Sequence, residues 1–189
     1  MMISGKEELS YSDYAYLNLV KNFRHLMTQM AFLTREYFKA VFSGYGSADT
    51  IASRLYDLPH SFQQKAELIF GTPLSEEFLH LLSLHAIYIQ TLANALAKGD
   101  QAEVDYSIQR LYANAADIAA HYAKINPFWE EKQWQTLLYN YVGMLIQDAM
   151  ALASGDFDKD LDIFDRMLRS ALLMGDYQAD GFIQYMTAK

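Results

Sequence analysis

The sequence predicts an all-α protein, an antiparallel bundle of six or seven helices built from three diverged helical hairpins. Only three prolines occur in 189 residues, and Pro59, Pro73 and Pro127 fall where helices start or stop. No segment shows the period-two alternation of a strand. An internal repeat supplies the hairpins: a glycine ends a helix-like run and Arg-Leu or Arg-Met follows about ten residues later. The copies are Gly44 to Arg54-Leu55-Tyr56, Gly99-Asp100 to Arg110-Leu111-Tyr112 and Gly155-Asp156 to Arg166-Met167-Leu168, offset by 55 or 56 residues.

The first long helix runs from about Tyr11 to Phe42 behind Ser10, and glycines at Gly44 and Gly46 form the loop after it. A short helix over Ala48 to Leu55 follows, and Pro59 opens another that ends near Phe70 and Gly71. Thr72-Pro73 starts the next, because the fixed φ and missing N–H of proline suit a first helical turn. This second long helix covers Ser75 to Lys98. Asp100 with Glu103 makes a capping box, so a fifth helix extends from Gln101 to Lys124 and stops at Asn126-Pro127. The sixth covers Glu130 to Ala153. Asp156 caps the seventh, which reaches Met186 with Gly175 and Gly181 as its expected bending points, each costing about 1 kcal/mol relative to alanine. No linker divides the chain, so residues 1–189 form a single all-helical domain. The repeated Arg54, Arg110 and Arg166 are expected to pair with a carboxylate or a helix-terminal carbonyl of the neighbouring hairpin.

A net charge of -8 opposes the attraction on which nucleic-acid and anionic-membrane binding depend, so neither is expected as a partner. The chain contains no cysteine, and its first residues lack the basic-then-apolar order of a signal peptide, which together point to the cytoplasm. Phe78 to Ala97 is a run of 20 residues without Asp, Glu, Lys or Arg. Its His80, Ser83, His85, Gln90, Thr91 and Asn94 mark it as a buried central helix rather than a membrane span.

At about 100° per residue, the second long helix places Phe78, Leu81, Ile89, Leu92 and Leu96 on one arc with His85 in its middle. The repeat equates His85 with Met30 and Tyr141, and Asp148 lies one heptad after Tyr141. Thr34, Tyr37, His85, Tyr141 and Asp148 are therefore the candidate site, a polar cluster inside an apolar core. Buried polar groups must bond to one another, to water or to a ligand. In one reading Asp148 accepts from Tyr37 or His85 in a closed structural network. In the other the cluster orients a small molecule, with His85 and Asp148 as the ionisable pair.

Metal and phosphate motifs are incomplete. Glu77 and His80 have the Glu-x-x-His spacing of di-iron bundles, but the repeat-equivalent residues are Gln133 and Thr136, so they read as a solvated first turn. His25, His60 and His121 have no ligand spacing. The run Asp156, Asp158, Asp160, Asp162, Asp165 fails as a calcium loop, with Leu161 and Met167 where glycine and glutamate are required, and suits a helix N-terminus instead. Gly44-Tyr45-Gly46 has neither a preceding strand nor a phosphate-loop lysine. No metal ligand, catalytic residue or cofactor is assigned.

Of 14 tyrosines and 11 phenylalanines, Tyr11, Tyr14, Tyr16 and Phe23 cluster on the first helix, whose start overhangs the other hairpins. A second copy of the chain, forming a homodimer, is the candidate partner for that overhang.

Leu111 to Ala120, Ile125-Asn126-Pro127-Phe128-Trp129, the Gly155-Asp156-Phe157 turn and Leu173-Met174-Gly175-Asp176 resemble a group of uncharacterised all-helical proteins from Gram-positive bacteria. The resemblance implies a helical bacterial protein and carries no activity with it. The inward position held here by Met30, His85 and Tyr141 tends towards histidine in that group, and this chain keeps only His85.

The leading functional expectation is a non-enzymatic small-ligand-binding or protein-interaction module. The alternative is a metal-dependent or acid-base enzyme using His85, Tyr141, Asp148 and Tyr37 between the long helices.

Overall fold

The structure, a computed structural model, describes residues 11–188, with the side chains of residues 11–13 and 15 outside the described set. The Ser10 cap, the side chain of Tyr11 and the opening residues read against a leader lie outside the described residues. Six helices follow in order: α1 (Tyr11–Ser43), α2 (Ala48–Phe70), α3 (Thr72–Lys98), α4 (Gln101–Ile125), α5 (Glu131–Ser154) and α6 (Phe157–Thr187). Every element among the described residues is an α-helix. None is long and apolar enough to cross a membrane.

The expected pair of short helices is one helix. Pro59 lies inside α2 and has no N–H to give the preceding turn, yet Leu55, Leu58 and Phe62 on the same face are buried and hold the helix against its neighbours. Tertiary burial here outweighs a local breaker.

The Gly-Asp turns are built alike. Gly99 and Gly155 have φ of 68° and 76°, in the left-handed region where a Cβ is penalised. Each turn closes with paired bonds: Gly99 N to Leu96 O with Asp100 N to Ala95 O, and Gly155 N to Leu152 O with Asp156 N to Ala151 O. Asp100 and Asp156 then accept from the Glu103 and Lys159 amides, satisfying donors that a helix start leaves free. These tight turns lay α3 beside α4 and α5 beside α6.

α6 runs unbroken through both glycines that were expected to bend it. They serve close approach instead. A Cβ on Gly175 would come within 2.8 Å of the Arg24 backbone, and one on Gly181 within 1.8 Å of the Trp129 indole. Trp129 is pinned there by its Nε1–H to Tyr177 O, and Asn126 donates from Nδ2 to Gly181 O. Around this corner Tyr122, Trp134, Phe182 and Phe70 stack edge and face, which accounts for much of the aromatic content. Tyr14, Tyr16 and Leu17 of the α1 overhang are exposed, and the Tyr16 hydroxyl donates to Asp180.

Among the described residues Arg54, Arg110 and Arg166 make none of the expected bonds to a neighbouring helix. All three are exposed; Arg110 donates to Tyr106 and Arg166 to the Asp162 carbonyl, both one turn back on their own helix. The residue after each one, Leu55, Leu111 and Met167, is what the core buries. The arginines that do cross between helices are Arg24 and Arg35, both on α1 and both bonded to α6.

Candidate functional site

Thr34, Tyr37, His85, Tyr141 and Asp148 are all buried, as helical periodicity predicts. Their hydrogen bonds do not join them to one another. His85 bonds through Nδ1 to Asn114 Oδ1 at 2.8 Å, and Asn114 Nδ2 donates to Leu81 O at 2.9 Å. Because the Asn114 amide is oriented by Leu81, its oxygen faces the ring and selects the Nδ1–H tautomer of neutral His85. Burial lowers the His85 pKa, with Asn114 opposing. The Tyr37 hydroxyl accepts from Asn94 Nδ2 at 3.2 Å. Among the described residues Thr34 Oγ1 and the Tyr141 hydroxyl have no hydrogen-bonding partner, and neither Asp148 oxygen has an N–H or hydroxyl donor.

His85, Tyr141 and Met30, the three positions that the sequence reading equates, line one small internal cavity to which all six helices contribute. Its volume is about 30 Å³, room for something the size of a water molecule and far below the several hundred Å³ that organic ligands occupy. The central cavity therefore cannot admit an organic molecule with the helices packed as they are.

A larger opening lies where the C-terminal turns of α1 and α5 meet the first turn of α6. This cleft has a volume of about 470 Å³ and is lined by Arg35, Lys39, Phe42, Leu152, Phe157, Asp160 and Leu161, among others. Arg35 Nε donates to Asp160 Oδ1 at 2.7 Å and Nη2 to Oδ2 at 2.5 Å. This two-pronged pairing fixes the guanidinium plane, and the Phe164 ring covers it at 4.7 Å. Asp160 is only 2% exposed, although it belongs to the acidic run read as suiting a helix N-terminus.

Behind Asp160 stands Asp148. Burial pushes the Asp148 carboxyl up, the facing Asp160 carboxylate adds to the effect and Arg35 opposes it, leaving a pKa of about 8. One guanidinium thus serves two carboxyl groups, and at neutral pH the second charge is removed by a proton. Protonated Asp148 has an O–H to donate to Asp160, which gives a buried carboxyl without conventional donors its partner. Burial also raises the Tyr141 pKa, reinforced by Asp148.

The hydrogen-bonding inventory of the cleft is uneven. Each Asp160 oxygen accepts from Arg35, whereas among the described residues Arg35 Nη1 makes no hydrogen bond, and Lys39 spends one of its N–H groups on Glu36 at 2.9 Å and lies 6.0 Å from the Tyr45 ring centroid. The cleft presents spare donors above an apolar wall of Phe42, Leu152, Phe157 and Leu161.

Arg35, Asp160 and Asn114 are candidate or supporting residues that the sequence reading did not single out. A signal was present. Asp160 shares an arc with Ile163, Met167 and Ala171; Arg35 falls between Ala31 and Phe38; and Asn114 falls between Leu111 and Ile118. Glu77 does not work with His80: it receives Lys124 Nζ at 2.8 Å and lies 3.5 Å from His121 Nδ1, tying α3 to α4. Among the described residues no group of three or more His, Asp or Glu side chains could hold a metal ion.

Comparison with protein-family models, with curated proteins and with solved structures finds no match.

Proposed function

We propose that the chain is a non-enzymatic binding module and that its ligand is a small organic molecule seated in the cleft between α1, α5 and α6. The observation that carries this reading is the Arg35–Asp160 pair at the cleft floor, a charged pair buried beneath an opening of about 470 Å³. That volume lies within the range of small-molecule pockets, and few polar groups over an apolar wall is how such pockets orient a ligand. The interior residues Thr34, Tyr37, His85 and Tyr141 then set the packing on which the cleft rests, and Asp148 sets its charge.

The test is recovery of what the protein carries. Native purification followed by mass spectrometry of released small molecules should yield a stoichiometric species from the wild type. The Ala153→Trp variant, which places an indole in the cleft, should not retain it. Equal retention by both proteins would remove the cleft from consideration.

An acid-base enzyme is the second reading, favoured by one observation, the carboxyl of Asp148 held protonated behind the cleft. The same recovery experiment separates the two. A binding module carries the same species in wild type and Asp148→Asn, whereas an enzyme carries a different, unconverted species in the variant.

A further inference from the structure

We propose, building on the cleft as the ligand site, that its ligand is an amphipathic monocarboxylate, with the carboxylate on Lys39 and Arg35 and the apolar body along Phe42, Leu152, Phe157 and Leu161. Three observations carry it. The first is the donor surplus: among the described residues Arg35 Nη1 has no hydrogen-bond acceptor, and Lys39, bonded to Glu36 and 6.0 Å from the Tyr45 ring centroid, has N–H groups to spare, while each Asp160 oxygen already accepts from Arg35. A ligand that completes this set must bring acceptors.

The second is rigidity. Arg35 is held on one edge by Asp160 and on one face by Phe164, so its free edge is oriented before any ligand arrives. A carboxylate reaching it therefore costs little reordering. The third is the wall. Phe157 and Leu161 are 62% and 56% exposed, on the same first turn of α6 that supplies Asp160, so apolar area is available directly beside the donors.

The competing electrostatics are weaker. The C-terminal turns of α1 and α5 at the rim favour cations only weakly at exposed ends. Charge-assisted hydrogen bonds from Lys39 and Arg35 are the stronger interaction. Moreover, the Leu152 and Ala151 carbonyls already accept from Gly155 and Asp156, and Ala40 accepts from Gly44. An amine ligand would meet, in Asp160, a carboxylate already paired with Arg35.

Isothermal titration of the wild type with decanoate, decanol and decylamine, each below its micelle concentration, tests the charge class. Decanoate is expected to bind at least about tenfold more tightly than either companion, the worth of one charge-assisted bond. Lys39→Gln should weaken decanoate by a similar factor, Lys39→Arg should restore it, and Ala153→Trp should abolish it. Lys39 lies at the edge of the cleft rather than in the core, so circular dichroism should show both Lys39 variants folded. Should decanol or decylamine bind as tightly as decanoate and still be lost in Ala153→Trp, the cleft remains the site and the carboxylate assignment falls. If none of the three binds, or if binding survives Ala153→Trp, the cleft and the assignment fall together.

Discussion

Arg35 and Asp160 lie 125 residues apart in the chain and meet through two parallel hydrogen bonds that fasten α1 to the first turn of α6. Arg24 and Asp176 make a similar pairing further along the same two helices, but in solvent. The two pairs differ in burial and should differ in worth. Asp160→Ala removes the two-pronged partner of a largely buried guanidinium, leaves it only the buried Asp148 carboxyl behind, and should cost about 3 kcal/mol or more in urea unfolding. Asp176→Ala should cost no more than about 1 kcal/mol. Equal losses would show that burial does not set the strength of these links.

Stability should fall as pH rises from about 6.5 to 8. The Asp148 pKa is raised on folding, to about 8, so in this window the folded state holds a proton that the unfolded chain has released. Unfolding is then favoured by alkali, with a slope of at most about 1.4 kcal/mol per pH unit for one proton. The lowered pKa values of His85 and His121 act in the opposite sense and at lower pH, because stability they confer as neutral groups is lost only as pH falls below the unfolded value of 6.5. Asp148→Asn replaces the acid by an amide that also donates to Asp160. It should flatten the slope between pH 6.5 and 8 without a large loss of stability at pH 6.5, as read by urea midpoints.

Both α6 glycines should resist the smallest enlargement. Gly175→Ala drives a methyl into the Arg24 backbone, which cannot rotate away, and Gly181→Ala drives one into Trp129. Each should destabilise by about 1–3 kcal/mol, against the gain of about 1 kcal/mol that the same change gives in an unconstrained helix. A rise in melting temperature for either variant would contradict the close packing of α1 and of Trp129 on α6.

His85 should titrate well below the usual histidine range and hold its proton on Nδ1 at neutral pH. Long-range nitrogen–proton NMR spectra report both properties directly. Asn114→Ala should release the tautomer preference and destabilise by about 1–3 kcal/mol, since it strands the buried His85 donor. An Nε2–H ring at pH 7 would overturn the arrangement.

Much of the architecture was legible because short-range chemistry dictates it. Gly99-Asp100 and Gly155-Asp156 state a helix end and a helix start in adjacent letters, and the turns follow. Periodicity also placed Thr34, Tyr37, His85, Tyr141 and Asp148 inside the protein. What it could not supply was the partner across the interface, because a 100° projection orders one helix and says nothing of the register of its neighbour. His85 therefore meets Asn114 and Tyr37 meets Asn94, while Asp148 faces Asp160. Asp160 was hidden for a further reason: alternating aspartates at a helix start read as one group suited to the helix N-terminus, although only Asp160 falls on the apolar arc. Pro59 misled in the opposite direction, since a local breaker is overruled when both flanking turns are buried.

The location of binding decides between the cleft and the interior polar residues. Chemical-shift mapping of the amide spectrum with decanoate should give its largest changes at Lys39, Ser154, Gly155 and Leu161, with His85 and Tyr141 unmoved. Shifts concentrated instead on Met30, His85 and Tyr141 would contradict the account, because they would mean that the bundle opens to admit ligand at its centre.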